Sequence, residues 1–339
     1  MERRYKIAVL PGDGIGPEVI DGALLVLNAL MHIDPDLKLE FFMGDLGEPA
    51  YEKYGNPLPE KTLALIGESD AVLFGAVGRF ATEVILPIRH RFDLYANVRT
   101  AYSFKGVPAL QKNVDMIIVR ENTEDVYKGI GYIIDDTSFV SLRLFTKKGM
   151  ERIIRYAFEL ARREARKSIL LAHKAPVIIH TDKPFLDHFR EISRGYPDIE
   201  ARDMLIDSCA MKMIMNPAMF DVVLVSNLMG DILSDVAAGI IGGLGFAPSG
   251  NIGENLGVFE PIHGSAPEFA GRHKVNPVGA ILAARMMLDW LGEKEAAARI
   301  YRAVARVLYE GEIRTFDLGG DAGTEEMAEG IAKKIEHQT

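Results

Sequence analysis

The chain has 339 residues, of which 48% are hydrophobic, a formal net charge of −9 and one cysteine. The chain carries no basic patch interleaved with aromatic residues, so a nucleic-acid role has little electrostatic support. The lone Cys209 excludes an internal disulfide and fits a reducing compartment. A chain of this length is long for one domain, so two lobes with a cleft between them are expected.

The N-terminal residues MERRYKIAVL are charged and then briefly apolar, and the apolar run stops at Pro11 and Gly12. They lack the small-residue cleavage site of a signal peptide, so they predict a first strand. No apolar run is expected to span a bilayer. We therefore expect a cytoplasmic protein with neither a membrane nor a nucleic-acid partner.

Apolar runs alternate with helical patterns through most of the chain, which is typical of α/β proteins. Strands are predicted at residues 6–10, 37–42, 71–75, 114–119, 168–172 and 221–225. Amphipathic helices are predicted between them, for example at 16–30 and 147–167, and helices dominate from Pro277 onward. Residues 136–145 alternate polar and apolar side chains, which predicts a half-buried antiparallel strand and indicates a second domain inserted into the first.

The first strand leads into the glycine-rich stretch LPGDGIGPE, residues 10–18. Its glycines run G-x-G-x-G and depart from the G-x-G-x-x-G fingerprint of dinucleotide binding. The alternative is a tight strand-to-helix turn, with Pro17 in the first helical turn and Glu18 complementing the helix dipole. These nine residues alone leave both interpretations open.

Several polar side chains follow the predicted strands. Arg120 ends a strand after an apolar run, where a charged residue without a role is unexpected. Arg89, Arg91 and Arg99 add three further cations. Guanidinium groups bind carboxylates in a bidentate fork, so a cluster of arginines indicates a polycarboxylate substrate. For each arginine taken singly, a solvated surface position is the alternative.

Two further residues are candidate acid–base groups. Lys174 follows the strand at 168–172, and burial near cations lowers the pKa of a lysine toward the range of a general base. Tyr127 lies shortly after Arg120 and is a candidate proton donor, with a structural tyrosine as the alternative.

The stretch NLMGDILSD, residues 227–235, follows the last predicted strand. Asp231 and Asp235 are four residues apart, so on a helix their carboxylates lie on one face and suit Mg²⁺ or Mn²⁺. A solvated helix face is the alternative. The position after an apolar strand, where α/β proteins place their clefts, favours the metal.

Motifs from the whole chain together resemble one family. They are LPGDGIGPE, LYANVR, VRENTEDVY, NLMGDILSD, FEPIHGSAPEFAG and VNP, in that order. The chain resembles the metal-dependent β-decarboxylating dehydrogenases, which include isopropylmalate, isocitrate and homoisocitrate dehydrogenases. The resemblance implies an isopropylmalate dehydrogenase-like α/β fold that is not a Rossmann fold, in which the GDGIG turn shapes the cleft. It further implies a large cofactor-side domain of residues 1–94 and 242–339, an inserted substrate and dimerisation domain of residues 95–241, and a homodimer or a dimer-based higher oligomer.

The resemblance also implies roles for the polar residues. The residues that would bind the malate carboxylates are Arg89, Arg99 and Arg120. The residues that would bind Mg²⁺ or Mn²⁺ are Asp231, Asp235 and, from the partner subunit, Asp207. Lys174, also from the partner, would assist removal of the hydroxyl proton, and Tyr127 would protonate the enolate carbon.

The cofactor would be held mainly by the loop HGSAPEFAG, residues 263–271. The residues implied at this site are Glu260, His263, Gly264, Ser265, Ala266, Glu268 and Asn276. Glu268 stands where members of the family that use NAD carry an acid, and its charge would repel the 2′-phosphate of NADP. We therefore expect NAD as the cofactor.

The substrate group on the γ carbon is expected to meet aliphatic side chains before Arg89. These are Val84, Ile85 and Leu86, with Val177 of the partner implied on the other side. An isopropyl group gains from apolar contact, whereas a γ-carboxylate needs a polar partner, so this favours 3-isopropylmalate. Homoisocitrate, isocitrate and 3-methylmalate stay as alternatives, with Arg79 or Arg91 able to reach an extra carboxylate.

Three positions depart from the family pattern: Pro176 replaces the usual Asn, Thr100 replaces the usual Pro, and Arg79 stands where relatives often have an acid. A catalytically weakened regulatory subunit is therefore an alternative of another class. The presence of every residue implied for substrate, metal and proton transfer argues against it. A metal-dependent sugar-phosphate or nucleotide-binding protein, suggested by GDGIG alone, leaves the arginine cluster unexplained.

Overall fold

The protein is described by a computed structural model, which covers residues 2–337. Strands and helices are numbered here in chain order. The strands are β1 (Arg3–Gly12), β2 (Leu37–Met43), β3 (Ala71–Ala76), β4 (Ala96–Tyr102), β5 (Asp115–Glu121), β6 (Gly131–Asp135), β7 (Ser138–Ser141), β8 (Ser168–His173), β9 (Glu200–Leu205), β10 (Val222–Val225), β11 (Pro248–Ile252) and β12 (Gly257–Pro261). The helices are α1 (Gly16–Ile33), α2 (Gly47–Tyr54), α3 (Glu60–Gly67), α4 (Ala81–Arg91), α5 (Lys147–Arg163), α6 (Asp182–Ser193), α7 (Ile206–Met215), α8 (Asn227–Ile241), α9 (Val278–Trp290), α10 (Lys294–Glu310) and α11 (Thr324–Glu336).

Ten strands form one sheet in the order β2-β1-β3-β12-β11-β4-β5-β10-β8-β9. The pairs β12–β11, β11–β4 and β4–β5 are antiparallel and the other neighbours are parallel. The α/β prediction is therefore confirmed. Strands from residues 95–241 occupy one half of the sheet and the remaining strands the other half, while the division into two domains stays a prediction.

The six strands predicted from apolar runs correspond to β1, β2, β3, β5, β8 and β10. The predictions missed β4 because the buried polar residues Asn97 and Arg99 interrupt its apolar pattern. They missed β11 because its sequence PSGNI has few side chains typical of strands. Both strands lie at the centre of the sheet, beside the cleft.

The predicted antiparallel strand at 136–145 is confirmed in its pairing, but it is shorter than predicted, at Ser138–Ser141, and less buried. The strand β7 pairs with β6 in a separate two-stranded sheet, a hairpin at residues 131–141. Tyr132, Ile133 and Phe139 on this hairpin are large apolar side chains that are exposed in the single chain. The alternation of polar and apolar residues alone could not distinguish a strand that packs on the core from one whose apolar side chains are exposed in the single chain.

The expectation that no apolar run could span a bilayer does not hold for α1 by length and composition alone. Within residues 2–337, α1 is the one helix that meets both criteria. Its apolar face lies in the core, because Val19, Ile20 and Leu27 are fully buried and the helix packs against α9 and α11. We therefore assign α1 as a core helix of this fold.

Candidate functional site

A cleft of about 560 Å³ opens along the middle of the large sheet. It is bounded by the ends of β3, β4, β5 and β12 and by helices α4 and α8. The predicted site residues that line it are Ile85, Leu86, Arg89, Arg99, Arg120, Tyr127, Asp231, Glu260, His263 and Gly264. Residues that are far apart in sequence are therefore brought together.

The three predicted substrate-binding arginines are buried in this cleft. Arg120, on β5, is only 1% exposed, and Arg89 and Arg99 are also buried. Neutral oxygen atoms position two of these side chains: Arg99 donates to Asn97 Oδ1 (2.8 Å) and Ser234 Oγ (2.7 Å), and Arg120 Nη2 donates to Asn227 Oδ1 (2.7 Å). These partners carry no charge, but carboxylates of the chain also approach all three arginines: Arg120 and Arg99 pair with Asp231, and Arg89 lies 3.9 Å from Glu260.

The arginines also act on one another. Burial, together with the charge of Arg120, lowers the pKa values of Arg89 and Arg99 to about 10 each. Both guanidinium groups still carry their charge at neutral pH. Three like charges held together in a buried cleft repel one another, so a ligand with several carboxylates would relieve that repulsion.

Asp231, on α8, lies at the centre of these contacts. Its carboxylate pairs with Arg120, accepts a hydrogen bond from the Tyr127 hydroxyl (2.8 Å) and lies 3.4 Å from Arg99 Nη2. Burial alone would raise the pKa of Asp231, but the charges of Arg120 and Arg99 outweigh it and hold that pKa below its usual value. Burial raises the pKa of Tyr127, which therefore keeps its proton at neutral pH.

Asp231 and Asp235 lie one turn apart on α8, as the sequence predicts. Asp235 lies 3.6 Å from Arg99 Nη1, and its side chain is 60% exposed. The two carboxylates offer the hard oxygen donors that Mg²⁺ or Mn²⁺ prefers. Among residues 2–337, no group of three or more His, Cys, Asp or Glu side chains is close enough to hold a metal ion. Mg²⁺ is commonly held by one or two carboxylates, with substrate oxygens and water completing its coordination.

Three residues predicted to come from a partner subunit lie outside the cleft. Lys174 Nζ donates to Asp207 Oδ1 at 2.8 Å, and both side chains are accessible. This ion pair lowers the pKa of Asp207. Val177, in the loop after β8, is exposed. The burial predicted for Lys174 from its strand is therefore not found in the single chain.

The GDGIG turn contacts the predicted cofactor loop. The backbone N–H of Ile15 donates to the carbonyl of Ser265 (2.9 Å), and a Cβ atom on Gly14 would lie 2.0 Å from that oxygen. Gly14 also has a φ of +59°, which favours glycine. Asp13 accepts backbone hydrogen bonds from Glu48 and Gly78. The turn thus supports the loop that flanks the cleft.

The predicted cofactor residues fall into two groups. Glu260 and His263 line the cleft, and His263 Nε2 is a buried polar atom without a hydrogen-bond partner within residues 2–337. Burial lowers the pKa of His263, which favours the neutral imidazole. Glu268 lies outside the cleft on the exposed part of the loop. The Asn276 side chain bonds Asp317 Oδ2 (2.9 Å) and the N–H of Val278 (3.0 Å), so it already has a role at the start of α9.

The loop itself bends at Ala266, whose φ is +36°, just before a single 3₁₀ turn at Pro267–Phe269. Ser265 is buried beneath the GDGIG turn. These two residues shape the loop and lie outside the lining of the cleft. Their predicted contact with a cofactor stays a prediction.

The predicted aliphatic side of the cleft differs from the structure at two positions of α4, 82 and 84. Ile85 and Leu86 line it together with Thr82, which the sequence analysis missed. Val84 is fully buried in a core under α4, because it lies on the opposite face of this helix. A polar residue at the start of α4 carries no distinguishing signal in the sequence.

The two arginines suggested for an extra carboxylate lie outside the cleft. Arg91 pairs with Glu60 on the surface (3.0 Å), and Arg79 is exposed over the ring of Phe80. The suggestion that Arg91 or Arg79 reaches the substrate is therefore wrong for this arrangement of the chain.

Asn227 and Asn97, which orient the buried arginines, were missed although each lies within a motif quoted above.

Residues 6–331 match the isocitrate/isopropylmalate dehydrogenase family. The chain is 46% identical over 338 residues to the 3-isopropylmalate/3-methylmalate dehydrogenase of Methanocaldococcus jannaschii, covering 98% of this chain and all of that protein. It is also 46% identical to the isocitrate/homoisocitrate dehydrogenase of Thermus thermophilus, covering 98% of each chain. The crystal structure of isocitrate dehydrogenase from Methylococcus capsulatus superposes with a TM-score of 0.93 at 42% identity, covering 98% of this chain and 99% of that one.

Proposed function

Since this chain belongs to the isocitrate/isopropylmalate dehydrogenase family, we propose that it catalyses the NAD-dependent oxidative decarboxylation of a 3-substituted malate, with 3-isopropylmalate as its substrate. One observation carries the proposal. Three buried arginines surround Asp231 in a cleft whose adjoining wall is formed by Ile85 and Leu86. The cations suit the carboxylates, and the aliphatic wall suits an isopropyl group.

Homoisocitrate is the second candidate for two reasons. A relative that is also 46% identical is named isocitrate/homoisocitrate dehydrogenase, and Thr82 lines the cleft beside the aliphatic residues. A threonine hydroxyl can donate a hydrogen bond to an additional carboxylate. Against this candidate, no arginine or lysine of residues 2–337 lines the cleft beyond Arg89, Arg99 and Arg120. A γ-carboxylate would therefore share the cations that the malate carboxylates use.

The residues fit a divalent cation and a nicotinamide. When bound, Mg²⁺ or Mn²⁺ would polarise the hydroxyl oxygen and NAD would accept the hydride. Asp231 and Asp235 would hold the metal ion, with Asp207 from the partner. Asp231 is paired with Arg120, so the carboxylate that would hold the ion also lies beside a guanidinium that would bind a substrate carboxylate.

Two side chains would move protons. Lys174 of the partner, acting as the neutral amine, would take the proton of the substrate hydroxyl as the C–H hydride leaves, which turns the alcohol into a ketone. The β-carboxylate then leaves as CO₂, and its bonding electrons form an enolate. Tyr127 would give its proton to the enolate carbon. The raised pKa of Tyr127 keeps this proton available at neutral pH.

Glu268 supports NAD rather than NADP. Its carboxylate is exposed on the loop after His263, where it is free to accept hydrogen bonds from ribose hydroxyl groups. A 2′-phosphate would meet like charge there. His263, Gly264 and the neighbouring residues of the loop would form the rest of the cofactor site.

A homodimer is proposed on the side of the chain that carries the Lys174–Asp207 pair. Large apolar side chains are exposed on α7, α8 and the hairpin, and they include Met215, Ile232 and Ile133. An exposed apolar surface of this kind is typical of subunit interfaces. A two-fold dimer through it would bring Lys174, Asp207 and Val177 toward the cleft of the partner. We further propose a cytoplasmic enzyme.

The experiment is a panel of 3-substituted malates with NAD or NADP and with Mg²⁺ or Mn²⁺. We expect NADH formation and CO₂ release, with the highest kcat/KM for 3-isopropylmalate and no activity after chelation of the metal ion. A higher kcat/KM for homoisocitrate would select the second candidate. Failure to oxidise every member would support a regulatory subunit and overturn the proposal.

A further inference from the structure

A second cavity, of about 340 Å³, lies on the face of the sheet opposite the cleft. It is enclosed by β4, β5, β11 and β12 and by helices α5 and α9. Side chains alternate along β4, so Arg99 points into the cleft while Val98, Thr100 and Tyr102 line this back cavity. Its volume lies within the range of small-molecule sites, roughly 300–1,000 Å³.

Two polar groups of the back cavity lack partners. Thr100 is 6% exposed and its Oγ1 atom is buried without a hydrogen-bond partner within residues 2–337. Arg285, on α9, makes no hydrogen bond or ion pair with any residue of that range, and its Nε atom is buried. Buried donors without acceptors cost free energy, so these groups favour a ligand that supplies oxygen atoms.

The charges of the cavity leave one cation unmatched. Lys294 pairs with Asp289 (3.0 Å) and Arg163 with Glu164 (3.3 Å), and all four residues line the cavity. Arg285 is the remaining charge. A single guanidinium with a free fork of donors suits one carboxylate.

The other walls define the body of the ligand. Aromatic and aliphatic side chains surround the polar groups: Val98, Ile117, Leu160, Ile252, Phe259 and Trp290. Burial raises the pKa of Tyr156 to about 12 and also raises that of Tyr102, so both phenols are neutral donors. The surroundings therefore exclude a strongly charged ligand such as a tricarboxylate.

We propose that the back cavity binds a small organic monocarboxylate with an aliphatic or aromatic body, held by Arg285 and Thr100. The site is an effector site, because the cavity and the cleft share two strands. Thr100 follows Arg99 on β4, and Phe259 precedes Glu260 on β12. A ligand that displaces either strand displaces a polar side chain of the cleft.

Trp290 is the single tryptophan of the chain and it lines the cavity, so its fluorescence reports on occupancy. The probe is 3-phenylpropanoate, with the neutral 3-phenylpropanamide as its matched control, and calorimetry gives an independent Kd. We expect saturable binding of the acid and binding of the amide that is weaker by at least about tenfold. Equal binding of acid and amide, or no saturation by about 10 mM, overturns the site.

Variants locate the binding. Arg285→Met is expected to raise the Kd of the acid by about tenfold or more. Arg285→Lys is expected to raise it by less, because lysine keeps the charge but lacks the planar fork of donors. Thr100→Val keeps the branched shape and is expected to weaken binding several-fold. Arg89→Met, in the cleft, is expected to leave the Kd unchanged. If Arg89→Met raises the Kd of the acid and Arg285→Met does not, the probe binds in the cleft and the proposed site in the back cavity is wrong.

The kinetic arm of the test rests on the proposed function, whereas the fluorescence arm does not. We expect the acid at saturation to change the KM of the hydroxy acid in the wild type and not in Arg285→Met. An unchanged KM while Trp290 reports full occupancy overturns the effector role. If the protein binds the acid but oxidises no malate, the proposed function is wrong and the proposed binding site still stands.

Discussion

Lys174 and Asp207 form an ion pair of 2.8 Å outside the cleft that holds Arg120 and Asp231. If a partner subunit completes the site, two inactive variants are expected to regain activity when they are mixed. Lys174→Met lacks the proton acceptor that would act in the cleft of its partner. Asp231→Asn lacks a metal ligand in its own cleft. A hybrid dimer of the two has one cleft with all its native residues and one cleft without either group.

We expect each variant alone to be nearly inactive and an equilibrated mixture to recover about a quarter of the wild-type activity, because about half of the dimers are hybrids with one working cleft. Steady-state rates after mixing and dissociation–reassociation provide the measurement. The matched mixture of Lys174→Met with Asp207→Asn, both lent by the same subunit, is expected to recover nothing. Recovery in neither mixture would place Lys174 in the cleft of its own chain.

The sequence predicts the residues of the cleft better than the way they are assembled. Arg120 and Asp231 could be predicted because each follows a continuous apolar strand, and strand ends meet at one edge of a sheet. Neither β4 nor β11 could be predicted, since buried polar residues interrupt the apolar pattern of β4 and the sequence PSGNI of β11 has few side chains typical of strands. The place of Lys174 could not be derived from its strand either, because Lys174 follows the buried end of β8 yet is partly exposed and pairs with Asp207 outside the cleft.

Tyr127 donates its hydroxyl hydrogen bond to Asp231 Oδ2 at 2.8 Å, within the cleft. We expect Tyr127→Phe to lower kcat by roughly 10²- to 10⁴-fold, the usual contribution of a general acid, with little change in KM. Steady-state kinetics at several substrate concentrations separates the two constants. A rise in KM at constant kcat would make Tyr127 a binding residue only.

The pH profile supplies a second measurement on Tyr127. Burial raises the pKa of this phenol above its ordinary value of about 10. The acid donates only when it is protonated, which holds at every pH below its pKa. We therefore expect no loss of kcat from this group up to at least about pH 9. The exposed Tyr132 provides the control, since Tyr132→Phe is expected to leave the profile unchanged.

Leu86 and Val84 lie two residues apart on α4 but face different surroundings. Leu86→Ser removes aliphatic surface from the cleft, so we expect kcat/KM for 3-isopropylmalate to fall by roughly 10- to 200-fold. The value for unsubstituted malate, which has no isopropyl group, should change little. Equal losses for both substrates would show that Leu86 does not contact the γ substituent.

Val84→Ala is the matched change in the core. It removes two methyl groups from a fully buried side chain, and we expect a loss of about 2 kcal/mol in the free energy of unfolding. The ratio of kcat/KM between the two substrates is expected to stay at the wild-type value. Urea unfolding and the substrate panel measure the two effects separately.

Gly14 supports the cofactor loop through its contact with Ser265. Gly14→Ala places a Cβ 2.0 Å from the Ser265 carbonyl oxygen, so the loop has to move. We expect the KM for NAD to rise by at least about tenfold. Gly55→Ala is the matched control, because Gly55 has a similar φ of +69° and nothing within 4 Å of an added Cβ. It is expected to lower stability by roughly 1–2 kcal/mol and to leave the KM unchanged.

Glu268 is exposed on the loop that follows His263, and its charge is the basis for the choice of NAD. In Glu268→Arg the carboxylate that would bind the ribose hydroxyls is lost and a guanidinium is gained that can bind a 2′-phosphate. We expect kcat/KM to fall for NAD and to rise for NADP, with a combined change in their ratio of at least about tenfold. Initial rates with each cofactor at one ionic strength give the ratio.

The alternative to a local contact is a general effect of the added positive charge on an anionic cofactor. Glu191→Arg separates the two, because its substitution changes the net charge equally and Glu191 is an exposed glutamate on α6. This helix packs against β8 and β9, at the end of the sheet away from β12 and its loop. A long-range effect is screened within about 10 Å at 0.1 M salt. We therefore expect Glu191→Arg to leave the ratio unchanged. An equal shift in both variants would mean that Glu268 does not contact the ribose, and the preference for NAD would have to come from another residue.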